Sequence, residues 1–240
     1  MTRPATTWRR AALALAAVAL IVAGCLPGAA TTESRDVAAL YGGFMVVAVI
    51  VGVIVYGLAT FAIVRYRSRN DDLLPVQRRG NWAIEGIWTG LPILTVLALF
   101  AATLVVLARV DATTAPASTE IHVQGFRWGW SFTYAATGTT VSGIGEPGPQ
   151  VVVPVGQTVK LTITSADVVH SFFVPLFLFK RDAIPGHENV YEFTVADPGT
   201  YRGQCAEFCG IYHYRMPFSI KAVSPAEFQA WLASQPKASG

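Results

Sequence analysis

The chain has 240 residues, of which 52% are hydrophobic and 14% charged, and its mean hydropathy is +0.44. Because soluble proteins carry roughly 25% charged residues, this composition is not that of an ordinary soluble protein, and it disfavours a disordered or collagen-like chain. The excess of positive charge behind the formal net charge of +3 comes from residues 1–110, which contain ten Arg and five acidic residues. Residues 111–240 contain eight basic and ten acidic residues. This second part therefore lacks the basic surface that is typical of nucleic-acid binding.

The N-terminus of the chain has the pattern of a bacterial export signal. Arg3, Arg9 and Arg10 precede an apolar run over residues 11–22, and the segment ends in V-A-G-C at residues 22–25. This ending resembles a lipobox, which implies that residues 1–24 are a lipoprotein signal peptide and that Cys25 carries a lipid. An uncleaved third membrane helix is the alternative, but the run is short for a span of about 20 residues.

Two longer stretches without charge follow, over residues 41–64 and 87–108. At about 1.5 Å per residue, each can cross a hydrocarbon core of ~30 Å. We therefore predict two transmembrane helices within residues 25–110. The loop between them contains five arginines, which places it in the cytoplasm by the positive-inside rule. Two crossings after a cleaved signal then place everything beyond Arg109 outside the cytoplasm.

Residues 111–118 form a linker of small residues, and the pattern beyond it indicates a β-sandwich or barrel over residues 119–225. Every second residue of the segment 126–134 is aromatic, so these side chains are expected on one strand face. Residues 226–240 are assigned to a C-terminal helix and tail, with a helix predicted over 225–233 and Ser224 and Glu227 as its cap. The other predicted strands cover 150–155, 158–164, 171–174, 190–195, 201–204 and 217–223.

Four soft metal-binding side chains lie close together in the sequence: Cys205, Cys209, His213 and Met216, spaced C-x3-C-x3-H-x2-M. Thiolates with imidazole and a weak thioether are typical of copper electron-transfer sites, whereas zinc would have little use for the methionine. A disulfide is the alternative in an oxidising exterior, but it leaves the histidine and the methionine unexplained. His170, next to a predicted strand, is the candidate for a second imidazole.

Three motifs, D-x-x-H-S-F-x-V-P, D-A-I-P-G and C-A-E-x-C-G-x-x-H-x-x-M-P, resemble the binuclear copper A domain of cytochrome c oxidase subunit II. With the two preceding helices, the resemblance covers residues 40–225, and the lipobox is similar to that of actinobacterial members. It implies a membrane-anchored all-β fold, in which a two-helix transmembrane hairpin precedes an extracytoplasmic cupredoxin-like β-barrel. It also implies two copper ions held by bridging thiolates, two imidazoles, one thioether and one backbone carbonyl: Cys205, Cys209, His170, His213, Met216 and Glu207.

The resemblance implies roles for three further side chains. Trp128 corresponds to a surface tryptophan at which electrons arrive from cytochrome c, although packing within the aromatic segment is the alternative. The carboxylate of Glu207 corresponds to a ligand of a magnesium ion shared with subunit I. Glu85 corresponds to a glutamate at the mouth of a proton-uptake channel, and its alternative role is to stabilise the N-terminus of the second helix by ~0.3–1 kcal/mol.

The function implied by the resemblance is that of subunit II of an aa3-type cytochrome c oxidase in a bacterial cell membrane. Such a chain takes electrons from cytochrome c, soluble or membrane-bound, and passes them to haem in subunit I, where oxygen is reduced to water with proton pumping. Subunit III and lipid are further partners, and nucleic acid is not. A copper-delivery or redox lipoprotein outside any oxidase is the alternative. A copper-free quinol oxidase subunit II is disfavoured by the complete ligand set.

Overall fold

A computed structural model describes residues 28–67, 77, 79–113 and 117–236 of the chain. The predicted signal peptide and Cys25 lie outside the described residues, as do residues 68–76 and 78 of the predicted cytoplasmic loop. The chain divides into two compact units. One consists of residues 39–107, and the other combines the residues up to 38 with those from 108 onward.

Two long helices account for the predicted transmembrane hairpin. Helix α1 covers Thr32–Arg65 with 34 residues, and helix α2 covers Trp82–Val110 with 29 residues. Their most apolar windows have mean hydropathies of 2.7 and 2.6, so both are long and apolar enough to cross a membrane. Both helices extend beyond the predicted spans of 41–64 and 87–108. The additional first turns of α1 include Glu33 and Asp36, and a search for uncharged runs therefore does not detect them.

The start of α1 belongs to the same unit as the β domain. The N–H of Ala30 donates to the carbonyl of Leu176 at 2.9 Å, and the N–H of Ala196 donates to the carbonyl of Ala30 at 3.1 Å. The carboxylate of Glu33 accepts a hydrogen bond from the N–H of Thr194 at 3.1 Å. These bonds stabilise polar helical turns that hydropathy alone would not predict.

The predicted all-β domain is confirmed, with ten strands in two sheets of five. The order in one sheet is β3-β2-β1-β5-β8, and the order in the other is β4-β10-β9-β6-β7. Most neighbouring strands are antiparallel, but β1 pairs with β5 and β10 with β4 in parallel. The strands are β1 Thr119–Phe126, β2 Gly129–Tyr134, β3 Thr140–Ile144, β4 Gln150–Pro154, β5 Thr158–Ser165, β6 His170–Val174, β7 Phe179–Ala183, β8 Asn189–Thr194, β9 Gly199–Cys205 and β10 Pro217–Val223.

Aromatic side chains join the two sheets in the core. Trp130 of β2 lies with its ring centroid 5.4 Å from that of Phe218 in β10, and Phe218 stacks on Phe172 of β6 at 4.6 Å. All three side chains are at most 1% exposed. Gly203 of β9 lies directly against Phe218, and a Cβ at this glycine would overlap the ring. The core is therefore closely packed beneath the end of the sheet to which β6, β9 and β10 contribute.

The aromatic segment 126–134 is not the single strand that its alternation predicts. Phe126 ends β1, Gly129 begins β2, and these two residues pair across an antiparallel turn. Trp130 shares the buried face of β2 with the next two alternate aromatic residues, but Trp128 lies in the turn. The alternation continued across the turn by coincidence, because a period of two in the sequence does not reveal where a strand reverses.

Helix α3, Pro225–Ser234, closes the domain after β10. The hydroxyl of Ser224 accepts a hydrogen bond from the N–H of Glu227, and the carboxylate of Glu227 accepts one from the N–H of Ser224. This is the reciprocal cap expected from the sequence spacing. Helix α3 packs its Phe228 into the core.

Candidate metal centre

Three neighbouring strands bring the predicted metal ligands to one end of their sheet. His170 is the first residue of β6, Cys205 is the last residue of β9, and Met216 immediately precedes β10. The N–H of Cys205 donates to the carbonyl of Met216 at 3.1 Å, which closes the base of the loop between β9 and β10. The N–H of Ala206 donates to the carbonyl of Ser171 at 3.0 Å, which fastens the same loop to β6.

The donor atoms form a compact cluster around two sulfurs. The Sγ atoms of Cys205 and Cys209 are 4.0 Å apart. The Sγ of Cys205 lies 3.9 Å from Nδ1 of His170, and the Sγ of Cys209 lies 3.6 Å from Nδ1 of His213. Each sulfur thus has one imidazole beside it, and a weaker donor lies at 3.3 Å from each. These weaker donors are the carbonyl oxygen of Glu207 next to Cys205, and the Sδ of Met216 next to Cys209.

The two cysteines are free thiols. Their sulfurs, at 4.0 Å, are too far apart for the covalent S–S bond of a disulfide. The structure therefore favours the metal-site interpretation over the disulfide alternative that the sequence left open. His170 is fully buried, and the exposed fractions of Cys205, Cys209 and Met216 are 5%, 6% and 1%. Soft, buried donors of this kind match copper better than a hard cation.

The electrostatics of the two thiols also favour a bound cation. Burial and the nearby Cys205 raise the pKa of the Cys209 thiol. Burial acts in the same direction on Cys205, but its contacts with His170 and with neighbouring backbone groups lower the pKa of this thiol to about 7. Two thiolates this close repel each other, so in the absence of a metal the loss of a second proton from the pair is less favourable than the loss of the first. A cation between them would stabilise both thiolates.

Asp167, which the sequence analysis did not single out, lies behind His170. One carboxylate oxygen is 2.9 Å from Nε2 of His170 and accepts a hydrogen bond from the N–H of Val168. The other oxygen accepts hydrogen bonds from the backbone N–H and the Nε of Arg127 at 2.8 and 3.3 Å. Burial raises the pKa of Asp167, but the bonds from His170 and from these backbone groups outweigh it and lower the pKa to about 2. The D-x-x-H spacing was the available signal for this pair.

Trp128 lies against the loop between β9 and β10 and is partly buried. Its indole N–H donates to the carbonyl of Cys209 at 3.3 Å. The ring of Tyr212 meets the indole edge to face, with centroids 4.9 Å apart. Gly210 makes this approach possible, because its φ of +121° is unfavourable for other residues and a Cβ there would lie 3.3 Å from the indole nitrogen.

The remaining predicted residues lie elsewhere or outside the described part of the chain. The carboxylate of Glu207 is 3.4 Å from Nζ of Lys180, which also contacts the carboxylate of Asp182 at 3.3 Å. Glu85 is in the first turn of α2 and accepts a hydrogen bond from the N–H of Asn81 at 3.1 Å. This contact fits the helix-terminus role for Glu85, and the proton-uptake role stays a prediction. Cys25 precedes the described residues.

Four large apolar or aromatic side chains of the loop between β9 and β10 are exposed to solvent, which the sequence did not predict. Phe208, Ile211, Tyr212 and Tyr214 are 79%, 74%, 44% and 76% exposed. They are interspersed along the chain with buried or half-buried metal-site residues, so their exposure follows from the way the loop turns its donors inward. Contiguous exposed apolar groups often mark an interaction surface.

Comparison with known proteins covers both parts of the chain. The families described as "Cytochrome C oxidase subunit II, transmembrane domain" and "Cytochrome C oxidase subunit II, periplasmic domain" match residues 19–106 and 119–223. A "Probable cytochrome c oxidase subunit 2" of Streptomyces coelicolor is 32% identical and covers 86% of this chain and 77% of the relative. A "Cytochrome c oxidase subunit 2" of Mycobacterium tuberculosis is 29% identical and covers 95% and 82%. The solved periplasmic domain of subunit II of a Bradyrhizobium japonicum cytochrome oxidase is 34% identical, with a TM-score of 0.48, and covers 51% of this chain and 96% of that domain.

Proposed function

Because the chain belongs to the cytochrome c oxidase subunit II family, we propose that it is the electron-accepting subunit of a haem-copper oxidase in a bacterial cell membrane. Its extracytoplasmic β domain accepts electrons from cytochrome c and passes them to haem in subunit I, where oxygen is reduced to water. The observation that carries this proposal is the cluster of two thiols with an imidazole within 4.0 Å of each.

The donor set fits a binuclear copper A centre. When bound, such a centre would supply one-electron transfer. The chain itself contributes rigidity, because the loop carrying the donors is hydrogen-bonded to β6 and closed at its base. The residues that would hold the metal supply two thiolates, two imidazoles, one thioether and one carbonyl: Cys205, Cys209, His170, His213, Met216 and Glu207.

We propose Trp128 as the point at which electrons arrive. The indole is partly exposed in the turn before β2, so a donor haem can approach it. Its hydrogen bond to the carbonyl of Cys209 connects the ring to the backbone of a thiolate ligand. This gives a short path of bonded atoms from the surface to the sulfur. The alternative role of packing is supported by the contact with Tyr212, and mutation separates the two roles.

The proposed contact with subunit I involves Glu207 and Phe208 of the loop between β9 and β10. We propose that the carboxylate of Glu207 contributes to a magnesium ion shared with subunit I, and that the exposed ring of Phe208 next to it is covered by that subunit. In the free chain, Lys180 forms an ion pair with the carboxylate of Glu207, and the magnesium ion would replace Lys180 there.

The remaining proposals concern the N-terminal part of the chain. Subunit III would contact the membrane part of the chain. Glu85 is proposed at the start of a proton path, and Cys25 is proposed as a lipid anchor.

The full chain in detergent, loaded with copper, tests this function by optical and electron paramagnetic resonance spectroscopy. We expect the delocalised mixed-valence signal of a binuclear copper centre, because the chain offers two neighbouring thiols with one imidazole beside each. Cys205→Ser or Cys209→Ser should abolish it, since a hydroxyl does not replace a thiolate ligand. Cys25→Ser is the matched control and should leave the signal unchanged. A single type 2 copper signal in the wild type, or an unaltered spectrum in Cys205→Ser, would favour a copper-delivery lipoprotein or another role.

A further inference from the structure

We propose that Asp167 is a positioning residue for electron acceptance, and that its one carboxylate fixes both the ring of His170 and the turn that carries Trp128. This inference rests on the proposed function, because it assigns to Asp167 a task within the same copper site. It concerns a side chain that is not itself a predicted metal ligand, and it is carried by four hydrogen bonds to the two carboxylate oxygens.

The first half of the task is to select the tautomer of His170. A carboxylate at neutral pH only accepts hydrogen bonds, so the Nε2 that lies 2.9 Å from Asp167 must carry the proton. The lone pair is then on Nδ1, which faces the Sγ of Cys205 at 3.9 Å. A metal-binding imidazole requires this arrangement, and a carboxylate on its other nitrogen commonly enforces it.

The ring of His170 is also confined on a second side. Gly125 of β1 lies against it, and a Cβ at this position would come within 3.0 Å of the ring. Since His170 is fully buried, the ring is held between the backbone of β1 and the carboxylate of Asp167. Without the carboxylate, the imidazole would keep its place in the core but lose the contact that fixes its protonation and its rotation.

The second half of the task concerns the turn before β2. The outer oxygen of Asp167 accepts from both the backbone N–H and the Nε of Arg127. Trp128 follows immediately, and its indole N–H reaches the carbonyl of Cys209. The carboxylate therefore connects the turn to His170, while the indole N–H connects the same turn to Cys209, and both of these residues would hold the metal.

This bonding pattern separates the proposed role from two simpler ones. A free surface acid that attracts a basic donor protein would have unoccupied oxygens, whereas each oxygen of Asp167 accepts two hydrogen bonds and the charge is paired with Arg127 at 3.3 Å. Substitution of a residue that only stabilises the turn would lower the free energy of unfolding but leave the properties of the copper site unchanged. Substitution of a positioning residue changes the affinity, the reduction potential and the spectrum of the copper site, even in protein that is folded and fully loaded with copper.

Asp167→Asn tests the inference in the full chain loaded with copper. The amide keeps the size of the side chain, but its NH₂ group cannot accept hydrogen bonds, so either His170 or Arg127 loses its partner. We expect copper affinity, measured by competition with a chelator, to fall about 10–100-fold, as for other carboxylates behind a metal-bound histidine. The reduction potential and the optical spectrum should change at full copper occupancy, and reduction by the donor cytochrome should slow.

Glu120→Gln is the matched control, because this carboxylate is also paired with a cation, at 2.9 Å from Lys160, and neither residue is a predicted metal ligand. It should leave the affinity, potential and spectrum unchanged. An Asp167→Asn protein with wild-type affinity, potential and spectrum would overturn the inference, even if its unfolding temperature falls. Absence of a mixed-valence signal in the wild type would instead contradict the proposed function.

If Asp167→Asn does not fold, proton NMR of the wild-type copper protein tests the same geometry. The Nε2 proton of His170 should give a shifted, slowly exchanging signal, because it is buried and donates to the carboxylate. A rapidly exchanging proton, or none on this nitrogen, would overturn the inference without any substitution.

Discussion

Replacing Trp128 by phenylalanine tests the path by which electrons reach the metal ligands. The substitution removes the indole N–H that donates to the carbonyl of Cys209 at 3.3 Å but keeps an aromatic ring beside Tyr212. Loss of one partly exposed hydrogen bond should lower the free energy of unfolding by about 0.5–1.5 kcal/mol. The bonded path to the thiolate is interrupted, so we expect electron acceptance to slow at least ~10-fold, equivalent to ~1.4 kcal/mol in the barrier.

Trp130→Phe is the matched control from the same segment. Trp130 is fully buried, and its indole N–H donates to the carbonyl of Met216 at 3.2 Å. That carbonyl keeps its bond from the N–H of Cys205, so the substitution leaves no unpaired acceptor. The smaller ring and the lost bond should together lower the free energy of unfolding by about 1–3 kcal/mol. Electron acceptance per copper-loaded molecule should stay at the wild-type rate.

The assay is stopped-flow reduction of the copper centre by the purified donor cytochrome, with all rates compared at equal copper content. Chemical unfolding of the metal-free proteins gives the stability of each variant separately. If Trp128→Phe and the wild type are reduced at equal rates, Trp128 is a packing residue and electrons arrive elsewhere. If Trp130→Phe is as slow as Trp128→Phe, the effect comes from general disturbance of the site rather than from the bonded path.

Three further predictions concern the thioether of Met216, the core and the N-terminus. Met216→Leu should retain copper but shift its reduction potential, because a thioether is a weak ligand; an unchanged potential in a redox titration would contradict its role. Gly203→Ala should lower the free energy of unfolding by about 1–3 kcal/mol, because the new methyl group overlaps the buried ring of Phe218, and an unchanged thermal midpoint would contradict this packing. Mass spectrometry should find Cys25 as a lipidated mature N-terminus, and an intact Met1 would refute the processing.

The cluster of candidate metal donors could be predicted to a large extent because most of its side chains lie in one loop. Cys205, Cys209, His213 and Met216 are so close in sequence that any compact loop brings them together, and only His170 had to be found at a distance. What the spacing could not show is which donor lies beside which sulfur. That pairing depends on the register of β6 against β9, in which Phe172 lies opposite Cys205.

The fold was predictable where periodicity and hydrophobicity alone decide the structure. The transmembrane helices and most strands follow from these patterns, but three strands were missed: β1, which was not separated from the aromatic segment 126–134, and β3 and β7, which were not predicted at all. The residues of β3 lie in a turn-rich segment, and β7 contains Lys180, Arg181 and Asp182, which give it no apolar alternation. The segment of β3 becomes a strand because it pairs with β2, and that of β7 because it pairs with β6. Such tertiary contacts are not visible in a local sequence window.

The position of Trp128 connects these observations to the function. Had β2 continued through residue 128, the indole would belong to the alternating buried face and could serve only as packing. Because the chain reverses at Arg127 and Trp128, the ring leaves the sheet and reaches the loop between β9 and β10, where it bonds to Cys209. Asp167 holds the same turn from the other side. The aromatic residue that leaves the alternating face is thus the one that contacts both solvent and Cys209.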